Sequence, residues 1–122
     1  MIDVSPERFD GLVADAVDSL PEQFASHMDN VVIVVEAWPD AGQLAGRHGT
    51  LLGLYEGIDL TRRSPLSYTM VAPDKITIFQ GPISARARTE ADLVALVRTT
   101  VIHEIAHHFG ISDERLRELG WG

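Results

Sequence analysis

The chain has 122 residues, of which 45% are apolar, and its formal net charge is −8. This length suits one domain, residues 1–122, and the apolar share suits a packed core rather than a disordered chain. An acidic surface repels phosphate backbones and anionic lipids, so we expect neither nucleic acid nor a membrane as a partner. The lack of cysteine excludes disulfides, thiolate zinc sites and a thiol nucleophile.

The N-terminal region predicts two helices. It has neither the basic start nor the apolar stretch of a signal peptide, so we expect a cytoplasmic protein. Ser5 is a suitable N-cap and Pro6 suits the first helical position. Pro21 then predicts a second, short helix that reaches about Met28. The apolar face of the first helix has helical spacing and consists of Phe9, Leu12, Val13, Ala16, Val17 and Leu20.

Strands are predicted in the middle of the chain, at residues 31–36, 51–55, 66–71 and 76–80. The first is β-branched and apolar on both faces, which predicts a central strand covered on both sides. Residues 38–50 carry several glycines and read as a long loop. The turn chemistry of residues 72–75 predicts an antiparallel hairpin between the last two strands, and Gly81-Pro82 ends the second of them.

A long helix and a short closing helix are predicted in the last third of the chain. Thr89-Glu90-Ala91-Asp92 resembles a capping box that begins the long helix, and Gly110 is placed to end it after Phe109. Residues 113–119 form the closing helix. The buried stripe predicted for the long helix is Val94, Val97, Val101 and Ile105.

The sequence His103-Glu104-x-x-His107-x-x-Gly110-x-x-Asp113 carries the chemistry. Residues four apart on a helix lie one above the other, so both imidazoles can bind one metal ion. Glu104 is offset around the helix, where it can accept a proton from metal-bound water without being a ligand. Gly110 allows the chain to fold back, and Asp113 is the first carboxylate on the return path. This pattern predicts a zinc site with three protein ligands and Glu104 as the catalytic base.

Other residues are weaker candidates for this site. A bare H-E-x-x-H also occurs by accident, but here a helix, a glycine and a third donor accompany it. Glu114 and Glu118 could replace Asp113, although their positions fit less well. His108 points about 100° away from His107, so we expect it to be packed or at the surface rather than a ligand. Candidates for stabilising an oxyanion are His48, Tyr55, Arg62 and Tyr68.

The motif resembles the aspartate-ligated zincins, and the whole chain looks like the small bacterial single-domain zincin-like metallopeptidases. Two further stretches support this resemblance, Leu52-Gly53-Leu54-Tyr55-Glu56-Gly57 and Pro73-Asp74-Lys75-Ile76-Thr77-Ile78. The resemblance implies an α+β minimal zincin-like fold, in which a small twisted mixed sheet packs on the metal-bearing helix and a short C-terminal helix follows. It also implies an edge strand beside the cleft, expected at residues 66–71, which pairs with an extended peptide.

The resemblance implies a zinc-dependent metallopeptidase with a peptide or protein as its substrate. Neither a methionine nor a second subdomain follows the motif, so we expect weak proteolysis. The first alternative is a zinc-binding scaffold or interaction domain with little catalysis. A metal-dependent endoribonuclease is a further alternative, which Glu104, Asp113 and the negative charge disfavour. The oligomeric state stays open, and the same ligands would accept iron, manganese or cobalt.

Overall fold

The computed structural model describes residues 1–25, 28, 31–45, 51–57 and 74–118, apart from the side chains of Gln23 and Asp113. The strand predicted at residues 66–71 lies outside this part. The prediction of an α+β fold with a small mixed sheet is confirmed. None of the described helices is long and apolar enough to cross a membrane. The elements in chain order are α1 (Pro6–Asp18), α2 (Glu22–Ala25), β1 (Val31–Glu36), α3 (Ala41–Leu44), β2 (Gly53–Glu56), β3 (Asp74–Phe79), α4 (Gln80–Arg86), α5 (Glu90–His108) and α6 (Asp113–Glu118).

The described strands form one sheet in the order β1-β3-β2. β3 is parallel to β1 and antiparallel to β2, so that Ile76 lies beside Ile33 on one edge and Tyr55 on the other. The predicted hairpin between residues 66–71 and 76–80 is therefore wrong, because both hydrogen-bonding edges of β3 are already occupied. Asp74 and Lys75, expected in the hairpin turn, are paired residues of β3.

The prediction that β1 is covered on both faces is also wrong. β1 lies at an edge of the described sheet, and Val32 on its outer face is exposed. Its inward residues Val31, Ile33 and Val35 pack against the core. An apolar composition shows that a strand has packing partners, but its place in the sheet is set by pairing with residues distant in the chain.

The helix starts follow local capping chemistry. Ser5 begins α1 by accepting a hydrogen bond from the N–H of Arg8 at 3.1 Å, as predicted. The second predicted helix, α2, ends at Ala25, before Met28. The predicted loop at residues 38–50 contains the short α3, whose capping box pairs Asp40 with Gln43 through two hydrogen bonds of 2.8 Å.

Helix α4 replaces the simple strand end that was predicted at Gly81-Pro82. Pro82 lies in the first turn of α4, where its missing N–H removes no helical hydrogen bond. Pro82 and Ile83 are buried, and the side chain of Ile83 belongs to the core. A proline after a strand is thus compatible with a helix as well as with a turn.

Helix α5 packs on α1 on one side and on β2, β3 and α4 on others. Thr89 caps it by accepting from the N–H of Asp92 at 3.0 Å. The carboxylate of Asp92 accepts from the N–H of Arg88 rather than that of Thr89, so the predicted capping box is only half formed. Val94 is exposed, and Leu93 takes its place in the buried stripe. The core joins this stripe to α1, β3 and α4 and includes Phe9, Leu12, Val13, Ile76, Ile78, Ile83, Leu93, Val97, Val101 and Ile105.

The two valines in the first half of α5 provide a test of this packing. Val97 is 0% exposed and Val94 is 43% exposed. Replacement of valine by alanine raises the helix propensity equally at both positions. The difference between the two changes in the free energy of unfolding therefore reports the burial of the side chain. We expect Val97→Ala to lower the free energy of unfolding by about 2 kcal/mol and Val94→Ala to change it by less than about 0.5 kcal/mol. Urea denaturation with chelator present measures both, and equal effects would contradict the packing described.

Candidate metal centre

The second half of α5 brings His103, Glu104 and His107 onto one unbroken helix, as predicted. The two histidines are separated by about 40° around the axis and about 6 Å along it, which lets both side chains reach one ion. His103 is half-buried and the side chain of His107 is 45% exposed. The pair therefore lies where the helix leaves the core and meets solvent.

Glu104 lies between these histidines and the sheet. Its side chain is 11% exposed, and its Oε1 lies 3.3 Å from Nδ1 of His107. On the other side it packs on β2, where a Cβ added to Gly53 would lie 2.9 Å from Cγ of Glu104. Gly53 thus leaves the space that Glu104 occupies, and a residue with a side chain would displace it. The sequence signal for this contact was a glycine inside a strand, which often marks a close approach.

The end of α5 is a Schellman motif. Phe109 is the C-cap, and Gly110 follows with φ of 71°, the left-handed conformation that suits glycine. The N–H of Gly110 donates to the carbonyl of His107 at 3.0 Å, and the N–H of Ile111 donates to that of Ala106 at 2.9 Å. This confirms the prediction that Gly110 ends the helix and reverses the chain.

Helix α6 begins immediately after the reversal. Ser112 caps it by accepting from the N–H of Arg115 at 3.1 Å, so Asp113 is its first residue. Leu116 is buried and lines an apolar cavity with Ile105. The start of α6 is therefore held against the end of α5, six residues after the second histidine of the motif.

The third ligand stays a prediction, because the side chain of Asp113 lies outside the described part of the structure. Among the side chains that are described, no group of three His, Asp or Glu residues is arranged to hold a metal. Of the alternative ligands, Glu114 is exposed and Glu118 contacts Arg115 at 2.8 Å. Neither belongs to a described group that could bind the ion.

The donors that are described fit zinc. Imidazole nitrogen and carboxylate oxygen are both common zinc ligands. A carboxylate can only accept, so its contact with Nδ1 of His107 favours the tautomer with the lone pair on Nε2, which a ligand requires. Nε2 of His103 is buried. Two imidazoles on one helix face with a carboxylate between them and the sheet are thus consistent with the predicted site.

His108 is packed, as predicted, but it has a polar partner that was not expected from the sequence. Its side chain is 1% exposed, and Nδ1 donates to Oδ2 of Asp74 at 2.7 Å. Tyr55 Oη donates to the same oxygen at 2.6 Å. Tyr55, an oxyanion candidate, is thus hydrogen-bonded to Asp74. The other oxyanion candidates, at positions 48, 62 and 68, lie outside the described residues.

A sequence signal for this buried contact was available. His108 follows Ile105 by three residues and Val101 by seven, which places it on the buried stripe of α5. A polar side chain at such a position requires a hydrogen-bonding partner. Asp74 lay two residues before the strand predicted at residues 76–80, and the turn prediction placed it in the connection between two strands.

Comparison with known proteins identifies the family of the chain. The profile of a family described as "Zincin-like metallopeptidase" matches residues 28–121. The chain belongs to the zincin-like metallopeptidase family. A conserved hypothetical protein from T. thermophilus has a similar structure, with a TM-score of 0.55 and 26% sequence identity over 95% of this chain and 97% of that one. No curated protein shows significant similarity.

Membership in this family confirms the resemblance of the chain to small zincin-like metallopeptidases and agrees with the α+β architecture. Zinc binding and peptide-bond hydrolysis are general properties that the family name implies. The family match includes the whole of α5 and α6, which carry the motif. It assigns no role to an individual residue of this chain.

Two glycines provide a test of the reversal that ends α5. An alanine at Gly110 must adopt a positive φ, whereas a Cβ added to Gly11, inside α1, meets no atom within 4 Å. We expect Gly110→Ala to lower the free energy of unfolding by about 1 kcal/mol and Gly11→Ala to raise it by up to about 1 kcal/mol. Both substitutions restrict the unfolded chain equally, so the difference in sign reports the native conformation. Stabilisation by both, measured by urea denaturation, would contradict the Schellman motif.

Proposed function

We propose that the protein is a zinc-dependent peptidase in which His103, His107 and Asp113 hold the metal and Glu104 is the general base. The observation that carries this proposal is the position of Glu104. Its carboxylate is nearly enclosed between β2 and the helix, yet it lies 3.3 Å from the ring of His107. A carboxylate held at the edge of a metal site and outside the ligand set is suited to proton transfer.

The chain's own residues then have distinct tasks. When zinc is bound, its Lewis acidity lowers the pKa of a coordinated water towards neutrality and polarises a carbonyl group. Glu104 would be the base of this reaction, because its carboxylate can hold the proton that the attacking water gives up and return it to the leaving amine. Gly53 lets this carboxylate lie against the backbone of β2. His103 and His107 supply neutral nitrogen donors from a rigid helix, which limits the reorganisation that the reaction requires.

The position of β2 supports a proposal for the substrate class. β2 packs on α5 beside Glu104 and lies at an edge of the described sheet. A strand at such an edge offers main-chain groups to an extended peptide without requiring a particular sequence. Residues 66–71 stay our candidate for the strand that binds the peptide. We therefore propose an extended peptide segment as the substrate.

The first test of the proposal is metal content. Protein purified without chelator or a metal-affinity tag is expected to contain about one zinc per chain by elemental mass spectrometry, as the predicted three-ligand site requires. Asp113→Ala should bind zinc much more weakly, because only two protein ligands remain. Glu114→Ala, one residue further along α6, is the matched control and should retain the metal. Full retention by Asp113→Ala would place the third ligand elsewhere.

The second test separates catalysis from metal binding. We expect Glu104→Gln to retain zinc and to lose about 10²–10⁴-fold in the rate of peptide-library cleavage, the usual contribution of a positioned general base. Glu118→Gln, at an exposed position, is the control and should cleave normally. Unchanged cleavage by Glu104→Gln would refute the assignment of the base. Zinc binding without any cleavage by the unmodified chain would favour the scaffold, and RNA cleavage abolished by chelator would favour the nuclease.

A further inference from the structure

A buried histidine lies in the middle of the apolar face of α5. Counted at 100° per residue, His108 lies about 20° from both Val97 and Val101 around the helix. Its ring makes edge contacts with Phe109 at 5.3 Å and Tyr55 at 6.1 Å between centroids. A polar ring in such surroundings costs free energy unless it is hydrogen-bonded.

Asp74 provides that hydrogen bond and is itself buried. The side chain of Asp74 is 3% exposed, and its Oδ2 accepts from His108 at 2.7 Å and from Tyr55 at 2.6 Å. The three residues come from separate elements: Tyr55 from β2, Asp74 from the first position of β3 and His108 from the last position of α5. We call these three residues the Asp74 cluster. Through it, the end of the helix is joined to both strands on which the helix packs.

The cluster joins the sheet to the last turn of α5, which carries His107 and leads to Asp113. His107 precedes His108, and the carbonyl of His107 accepts the Schellman hydrogen bond from Gly110. The chain then reaches Asp113 at the start of α6. A rotation or fraying of this last turn would move His107 and the start of α6 relative to each other. The hydrogen bond from His108 to Asp74 opposes both movements, because it holds the turn to β3 directly and to β2 through the hydrogen bond between Tyr55 and Asp74.

We propose that the Asp74 cluster is a positioning unit for metal binding, which fixes the last turn of α5 and with it the separation between His107 and Asp113. The inference rests on the ligand set of the proposed function and extends it to residues that touch no metal. Partners that orient metal ligands affect metal affinity by about 10–100-fold when they are removed. The Asp74 cluster is more distant from the metal than such partners, because it acts through the backbone that joins His107 to Asp113.

Variants of His108 test the hydrogen bond separately from the volume of the side chain. His108→Leu removes the donor, whereas His108→Asn can place an amide N–H near the position of Nδ1 and keep the bond to Asp74. Val97→Ala is the matched control, because it weakens the same helix in the core and away from the last turn. Zinc affinity is measured by competition with a chromophoric chelator, on proteins shown to be folded by circular dichroism. The visible spectrum of the Co²⁺-substituted protein reports the ligand geometry.

We expect His108→Leu to weaken zinc binding by about 10–100-fold and to alter the Co²⁺ spectrum, while His108→Asn and Val97→Ala keep both properties within a few-fold of the unmodified chain. If His108→Leu does not fold, Tyr55→Phe removes one hydrogen bond to Asp74 and should give a smaller loss of the same kind. Equal zinc affinities for the His108→Leu and Val97→Ala variants would overturn the inference, as would equal losses for the Leu and Asn variants.

These outcomes are distinct from a failure of the proposed function. An unmodified chain that binds zinc but cleaves no peptide would refute the peptidase and leave the positioning unit to be decided by the affinities. An unmodified chain that binds no zinc would overturn both. Loss of affinity in His108→Leu with full rescue by His108→Asn supports the positioning unit whether or not a substrate has been found.

Discussion

The structure depends on helix α5, which packs against the core on one face and carries the motif histidines on another. Its apolar residues must face α1 and β3, while His103 and His107 must remain able to reach the proposed metal. Helix geometry fixes the angle between these faces, at about 100° per residue. His107 lies about 40° and His103 about 80° beyond the Leu93 edge of the buried arc, and Glu104 lies about 60° from His107 on the side of the core. The arc spans about 120° and contains Leu93, Val97, Val101 and Ile105.

This arrangement accounts for the environment of each site residue. Glu104 is nearly enclosed because its angle brings it over β2, and the strand accommodates it only because Gly53 has no side chain. His107 is largely exposed because the same rotation carries it away from the sheet. A buried carboxylate beside a more accessible imidazole thus follows from packing one helix on one sheet. The sequence needs few features beyond this packing to produce that arrangement.

Features encoded by neighbouring residues were predicted well from the sequence. The caps at Ser5 and Thr89, the ending of α5 at Gly110 and the placing of the motif on one helix all rest on contacts within a few residues. Helix α4 was missed because Gly81-Pro82 satisfies both a turn and a first helical turn, and only the burial of Ile83 against the core decides between them. Local patterns carry no information on that burial.

Features that depend on distant residues were not predictable in this way. The apolar stretch of β1 suits an edge strand as well as a central strand, and its parallel pairing with β3 joins residues more than forty positions apart. The contact between Glu104 and Gly53 and the one between His108 and Asp74 are of the same kind. The helix that carries the motif was therefore predictable from the sequence, whereas the residues that Glu104 and His108 contact were not.

The Asp74 cluster resolves an ambiguity that the apolar stripe leaves. A stripe of valine, leucine and isoleucine packs almost equally well after a small rotation of the helix, since apolar contacts have no preferred direction. A hydrogen bond between buried partners is satisfied in one geometry only, and breaking it leaves the full cost of an unpaired polar group. A buried polar pair often contributes little net stability, because an apolar pair of similar volume could replace it. The Asp74 cluster selects one rotation of α5, the one that keeps His103 and His107 out of the core. An apolar pair could not make that selection.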